Sequence, residues 1–250
     1  MEIIFDLETA PRQNAAIFIP PYEAFDERSV KYGNTKDPRL VMEKLQNERE
    51  KHHLEQTARQ ESFLQKAALS PLTGQIVAIG ARAHDPLQEG TAEFFMHQSD
   101  SAAWAEGIGK IWSPEEALIR DFERWIGSLI PSPGAFGTYL VSWAGSSRGS
   151  FDANFLRRRT MAHSIQTDTL RYAKYINATQ MYLRDAGTDI YLSLDNACLE
   201  MEIPKFYSGV TTGATFAQRF EEDPVDAMNY LRGDVYDLSA VWNRLCLVRD

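Results

Sequence analysis

The chain opens on two carboxylates inside an apolar strand, Glu2-Ile3-Ile4-Phe5-Asp6-Leu7-Glu8. Side chains alternate along a strand, so Asp6 and Glu8 point to one side, about 7 Å apart along the backbone. Two ionised carboxylates side by side repel, and burying them is costly without cations. The fold must therefore bring this strand end either to open water or to a divalent metal. For the pair alone both readings stand. The strand ends at Thr9-Ala10-Pro11.

Residues 12–70 differ from the rest. The stretch 17–36 carries Pro20-Pro21, Gly33-Asn34 and scattered aromatics and reads as irregular. Asp37-Pro38 supplies an N-cap with proline at the first helical position. No Gly or Pro follows until residue 71, and acids and bases are mixed, which predicts a long solvated helix over 39–69 with a break near His52-His53. Its apolar positions are too sparse for a coiled coil.

Alternating elements follow. Residues 75–81 and 91–97 read as two strands of a hairpin around a loop at 84–90. Ser113-Pro114-Glu115-Glu116 is a capping box. The helix it opens puts Leu118, Phe122, Trp125 and Leu129 on one face. A loop at 131–137 leads to a fourth strand over 138–143. A Gly/Ser-rich loop over 144–150 then leads to a helix beginning near Phe151. The run 164–168 is read as a short fifth strand, and 192–203 and 223–248 as helices. One α/β domain with a helical insertion after the first strand is the economical reading.

Composition narrows the function. The formal net charge is -9, which argues against a general electrostatic coat on phosphate. It leaves room for an enzyme that holds phosphate through bound cations. No stretch approaches the ~18 apolar residues of a membrane span. The N-terminus lacks a basic n-region, so no signal peptide is expected. The two cysteines, Cys198 and Cys246, are far apart and suggest neither a disulfide framework nor zinc. A cytoplasmic setting is the expectation.

Two further features bear on chemistry. Asp152, in Phe151-Asp152-Ala153-Asn154-Phe155-Leu156, stands at a helix start after a strand and loop, where sites collect in α/β folds. By itself it is equally an acid that complements the helix dipole. In the last helix Met228, Leu231, Val235, Leu238, Trp242 and Leu245 recur at alternating spacings of three and four, which defines a buried stripe. Tyr230 and Asp234 are four apart and stand one above the other beside that stripe, with Asp234 nearer to it than Asp237. Alone they read as a half-buried Tyr and a surface acid, or as groups facing a cleft.

Taken in order along the chain, the three features resemble the DEDD superfamily of 3′–5′ exonucleases, in its tyrosine (DEDDy) branch. The likeness is to the exonuclease domain of family B DNA polymerases and its stand-alone bacterial and phage relatives. Phe5-Asp6-Leu7-Glu8-Thr9 is similar to the first family motif. Phe151-Asp152 with Phe155-Leu156 and the arginines after them is similar to the second, and Tyr230-Leu231-Arg232-Gly233-Asp234-Val235 to the third. Ser193-Leu194-Asp195 through Ile203-Pro204 looks like the helix before the third motif. The chain departs from these relatives at Ala144, where they often carry Asn, and in the longer loop that follows.

The resemblance implies a ribonuclease-H-like mixed sheet of five strands flanked by helices, with the first strand central and the second and third antiparallel. It implies two Mg²⁺ or Mn²⁺ ions, in keeping with oxygen-only ligands. In the family such ions lie about 4 Å apart. Asp6 would bridge both; Glu8 and Asp234 would hold the one that generates hydroxide; Asp152 would help hold the other. Tyr230, poor as a base with a pKa near about 10, would orient the water. Leu7, Thr9, Phe151 and Lys205 are the substrate-binding candidates, with Lys205-Phe206-Tyr207 able to stack or pair with a strand. The implied partner is the 3′ end of single-stranded DNA or RNA, DNA favoured, with nucleoside 5′-monophosphates as product. A silent nucleic-acid-binding or adaptor module on the same fold is the alternative. The 12–70 insertion has no motif of its own; a protein partner or self-association are its candidate roles. Arg157-Arg158-Arg159 is read as a solvated face, His163 as a helix C-cap and Cys198 as core.

Overall fold

Strand β1 (Glu2–Pro11) sends its side chains alternately into two separate cores. Ile3, Phe5 and Leu7 pack with Leu118, Phe122 and Phe155, whereas Ile4 packs with Val141, Val235, Leu238 and Trp242. Asp6 and Glu8 share the parity of Ile4 and so lie on the side of the C-terminal helix. This computed structural model describes residues 1–34, 36–84, 92–100, 113–130, 138–144, 150–167, 169–170, 173–183 and 191–247. Of the loops expected at 84–90, 131–137 and 144–150, residues 85–90, 131–137 and 145–149 lie outside the described residues, as do Thr91, Asp168 and Val248.

The chain divides into two compact units, residues 1–10 with 75–250, and residues 11–74. In the first, the strands are β1, β2 (Gly74–His84), β3 (Glu93–His97), β4 (Tyr139–Ser142) and β5 (Lys174–Asn177). Their order is β3-β2-β1-β4-β5, with β1 central as expected. β1 pairs parallel with β4 and β4 with β5, while β2 and β3 are antiparallel. The sheet is thus mixed and flanked by helices, consistent with a ribonuclease-H-like fold.

The second unit holds helix α1 (Pro38–Lys66), capped by Asp37 accepting from Arg39 N at 2.9 Å. It runs unbroken through His52-His53, without the expected break, and Tyr22 and Phe25 meet the His52 ring edge-on at 5.8 and 5.5 Å. Residues 15–29 carry two 3₁₀ turns, tied to α1 by Arg59–Glu23 at 2.6 Å and by Arg49–Glu27. Leu40, Met42 and Leu54 stay exposed, which fits a solvated helix.

In the first unit the helices are α2 (Pro114–Leu129), α3 (Phe151–Ala162), α4 (Ala178–Tyr182), α5 (Leu194–Glu200), α6 (Phe216–Glu222) and α7 (Pro224–Leu247). Ser113 caps α2 by accepting from Glu116 N at 3.1 Å. Leu118 and Phe122 are buried as expected, joined by Ile119 and Ile126. The α7 stripe is buried at Leu231, Val235, Leu238, Trp242 and Leu245. Trp242 Nε1 donates to Glu2 at 2.6 Å and fastens α7 to the start of β1. Gly80 lets β2 approach α7: a Cβ there would meet Leu231, Phe95 and Val235 at 2.9–3.0 Å.

Three further sequence expectations about the elements need correction. The fifth strand is not 164–168. Ser164 takes a left-handed backbone (φ 52°) and reverses the chain after α3, and Ile165 N returns to Thr160 O at 3.0 Å. The edge is filled instead by Lys174–Asn177, which sets Tyr175 opposite Leu140 and Ile176 opposite Val141. The helix expected over 192–203 is only Leu194–Glu200, because Glu202 is left-handed (φ 54°) and Pro204 follows. Arg159 is not on a solvated face but 3% exposed.

That arginine closes a buried clamp. Glu115 at the head of α2 accepts from Ile76 N at 2.8 Å on β2, from Arg159 Nε at 2.8 Å and Nη2 at 2.5 Å on α3, and contacts His163 Nε2 at 2.7 Å. Burial pushes the Glu115 carboxyl up, but the bonds from His163, Arg159 and Ile76 outweigh it, so the pKa falls. His163 does sit at the C-cap of α3, as expected.

Candidate metal centre

Each acid is placed by a different local rule. Asp6 and Glu8 arrive by strand alternation. Asp234 arrives by helical phase, one turn beyond Tyr230 on α7. Asp152 sits in the first turn of α3, where Ser150 caps the helix by accepting from Ala153 N at 3.1 Å. The structure brings carboxylate oxygens of Asp6, Glu8 and Asp234 within 4.8 Å of one another. Asp152 is outside that trio but near enough to act on it electrostatically.

Two of the carboxyls are buried and two, Asp6 and Asp234, are half-buried. Glu8 is 6% and Asp152 4% exposed. Burial raises the pKa of Asp6 well above the usual carboxylate range, and the charges of Asp152 and Asp234 add to it. Glu8 is raised by burial and then by Asp6, Asp234 and Asp152. Burial pushes Asp152 up to about 7 against hydrogen bonds from its own N–H and the Ser142 hydroxyl. It pushes Asp234 up to about 6 against a bond from Tyr230 and the charge of Lys205. Tyr230 is raised as well, by burial and then by Asp234, Glu8 and Asp6, so its phenol stays protonated and donates to Asp234.

Among the described residues no Lys, Arg or His forms an ion pair with Asp6, Glu8, Asp152 or Asp234; the nearby cations pair with other acids. An oxygen-only set with this much negative charge and no such ion pair fits Mg²⁺ or Mn²⁺.

The other candidates fall as follows. Leu7 is 5% exposed in the core, so only its backbone faces the acid side. Thr9 is half-buried at the strand end. Phe151 packs on Phe155 at 5.3 Å. Lys205 is held by Asp195 and by Asp237 at 2.8 Å, which fixes its position beside the site. The sequence reading placed Asp234 nearer the core stripe than Asp237, yet Asp237 is 1% exposed and Asp234 only half-buried. The loop between α5 and α6 folds back over Asp237, whose Oδ1 accepts from Phe206 N at 3.0 Å.

Supporting residues were missed. Ser142, at the end of β4, bonds both Asp152 and Ser150. Ser150 was readable as an N-cap, since it precedes Phe151-Asp152 by one position. Gly233 lets Tyr207 lie across α7, since a Cβ would meet Tyr207 Cβ at 2.5 Å. Tyr207 in turn meets the Tyr230 ring edge-on at 5.6 Å and donates to Asp226 at 2.9 Å. Ala144, the position where Asn was absent, donates its N–H to Thr179 Oγ1 at 3.2 Å.

Comparisons with protein-family models, curated proteins and solved structures returned no match.

The raised carboxyls fix a pH dependence. A carboxyl with a higher pKa folded than unfolded destabilises the metal-free fold above its folded pKa. The penalty fades as pH falls from the folded pKa toward the unfolded value, so for Asp152, at about 7, and Asp234, at about 6, it is relieved from about pH 7 down to about pH 4. In EDTA the thermal midpoint should rise by several degrees over that interval, on the order of 1–2 kcal/mol. Mg²⁺ or Mn²⁺ should raise the midpoint at pH 8 and flatten the dependence. A midpoint that falls steadily from about pH 7 to about pH 4 in EDTA would contradict it.

Proposed function

We propose that this chain is a two-metal-ion 3′–5′ exonuclease acting on single-stranded nucleic acid, DNA in preference to RNA. The observation that carries this reading is the convergence of Asp6, Glu8 and Asp234 within 4.8 Å, beside Asp152 and Tyr230, with no ion pair to any of these acids among the described residues. Order along the chain and resemblance to the DEDDy motifs supply the reaction class.

Asp6, Glu8 and Asp234 would hold the cations, with Asp152 completing the set. When bound, two divalent ions lower the pKa of water and neutralise charge at a scissile phosphate. The residues themselves supply position. Ser142 and the N–H of Asp152 itself fix the Asp152 carboxylate, and Tyr230 Oη, whose proton is donated to Asp234, orients a water by accepting from it. A phenol with a raised pKa does not act as base, so its part is orientation. No helix among the described residues is long and apolar enough to cross a membrane. Neither cysteine is in a disulfide, and we place the activity in the cytoplasm.

Product analysis tests the reading. Mg²⁺ with a single strand should release nucleoside 5′-monophosphates only; internal fragments would indicate an endonuclease instead. Tyr230→Phe should slow turnover by about ten- to a hundredfold with Mn²⁺ affinity unchanged. An unchanged rate would remove Tyr230 from the mechanism.

A further inference from the structure

Outside the acid cluster, the first unit carries a ladder of aromatic rings and guanidinium groups that runs outward from Phe95 at the edge of the core. Phe206 stacks on Tyr236 with ring centroids 4.6 Å apart and planes at 13°. Tyr236 lies parallel to Phe95 at 6.4 Å and 8°. The Arg82 guanidinium is 4.6 Å from the centre of the Tyr236 ring, and that of Arg232 is 4.9 Å from the Phe95 ring. Phe206 is 57% exposed. Tyr236 is off the buried α7 stripe, about 140° from its centre by helical phase.

We propose that Phe206, backed by Tyr236 and flanked by Arg82 and Arg232, is a stacking platform for the bases of a single-stranded oligonucleotide. It deepens the exonuclease reading and rests on it for which end of the strand reaches the acids. Three properties favour this ligand. A flat exposed ring accepts any base face, and stacking of this kind is tolerant of sequence. The guanidinium groups of Arg82 and Arg232 lie over the faces of Tyr236 and Phe95, and Arg232, half-buried, can reach a phosphate oxygen, while Arg82 also pairs with Glu93 at 3.7 Å. The platform is also rigid before binding: Phe206 N is held by Asp237, and the neighbouring Lys205 is held by Asp195 and Asp237.

The placement relative to the acids suits a threaded strand. Tyr236 is two residues past Asp234 on α7, and Lys205 is near enough to Asp234 to lower its pKa. Platform and acid cluster flank one helix, roughly 10–12 Å across. A chain whose formal charge is -9 needs such a local cationic patch to hold a polyanion at all.

The test is fluorescence anisotropy with a 5′-labelled single strand of about 12 nucleotides. Ca²⁺ is present to fill the acid site. Wild type, Phe206→Ala and Phe206→Trp are compared. The alanine variant should bind about tenfold or more weakly, and the tryptophan variant should regain wild-type affinity. Equal affinity of alanine variant and wild type, with 3′-end cleavage intact in Mg²⁺, overturns the platform and spares the exonuclease reading. Phe206-dependent binding without cleavage of any strand overturns the exonuclease reading and keeps the platform. A wild-type protein that binds no single strand overturns the platform.

Discussion

Asp6→Ala and Asp234→Asn should each reduce 3′-end hydrolysis by on the order of a thousandfold or more, with the fold retained. Both residues belong to the trio whose oxygens lie within 4.8 Å, so each substitution removes a charge from the centre of the cation site. Asp234→Asn keeps side-chain shape and the hydrogen bond from Tyr230, so a loss of rate there isolates charge from packing. The metal-free variants should be at least as stable as the wild type. The wild-type carboxyls are destabilised by burial and by one another, and removing one relieves the others. Steady-state rates on a labelled strand, beside thermal midpoints in EDTA, check both parts. Full activity in either variant would remove that residue from the site.

Arg159→Met should cost about 3–5 kcal/mol of stability, the penalty for leaving a buried charge without its partner. Arg159 and Glu115 are each 4% exposed at the side chain, and Glu115 also accepts from Ile76 N. The clamp therefore ties β2, α2 and α3 together. The double variant Arg159→Met with Glu115→Gln should recover part of the loss, because the orphaned charge is gone. Urea denaturation at pH 7 measures both. A loss below about 1 kcal/mol for Arg159→Met would show that Glu115 is satisfied without it.

The legible parts of this fold are those governed by strong local periodicity. Alternation in β1 placed Asp6 and Glu8 on one side, and the three-four repeat of Leu231, Val235, Leu238 and Trp242 gave the buried face of α7. The Ser113 cap and the Asp37-Pro38 start were readable because caps are written in a few adjacent residues. The fifth strand was not. Residues 164–168 and 174–177 are both short and apolar-polar mixed, and only pairing with β4 decides between them. Helix α5 was overrun because nothing local at Glu202 announces a left-handed backbone. Arg159 was misassigned because three consecutive arginines look alike in sequence, while helical phase turns one of them toward Glu115, 44 residues away. Asp237 is buried only because a loop folds over it, and a tertiary cover leaves no trace in the periodicity of α7. The acids themselves were individually ambiguous; their convergence is a property of the fold.

The most direct measurement is a time course on a 5′-labelled single strand, with Mg²⁺ or with EDTA, run beside Asp6→Ala. The expected result is a ladder that shortens from the 3′ end in Mg²⁺, is absent in EDTA and is absent in the variant. An intact strand in Mg²⁺, with the wild-type protein folded and Mn²⁺ bound at the acid cluster, would contradict the exonuclease reading.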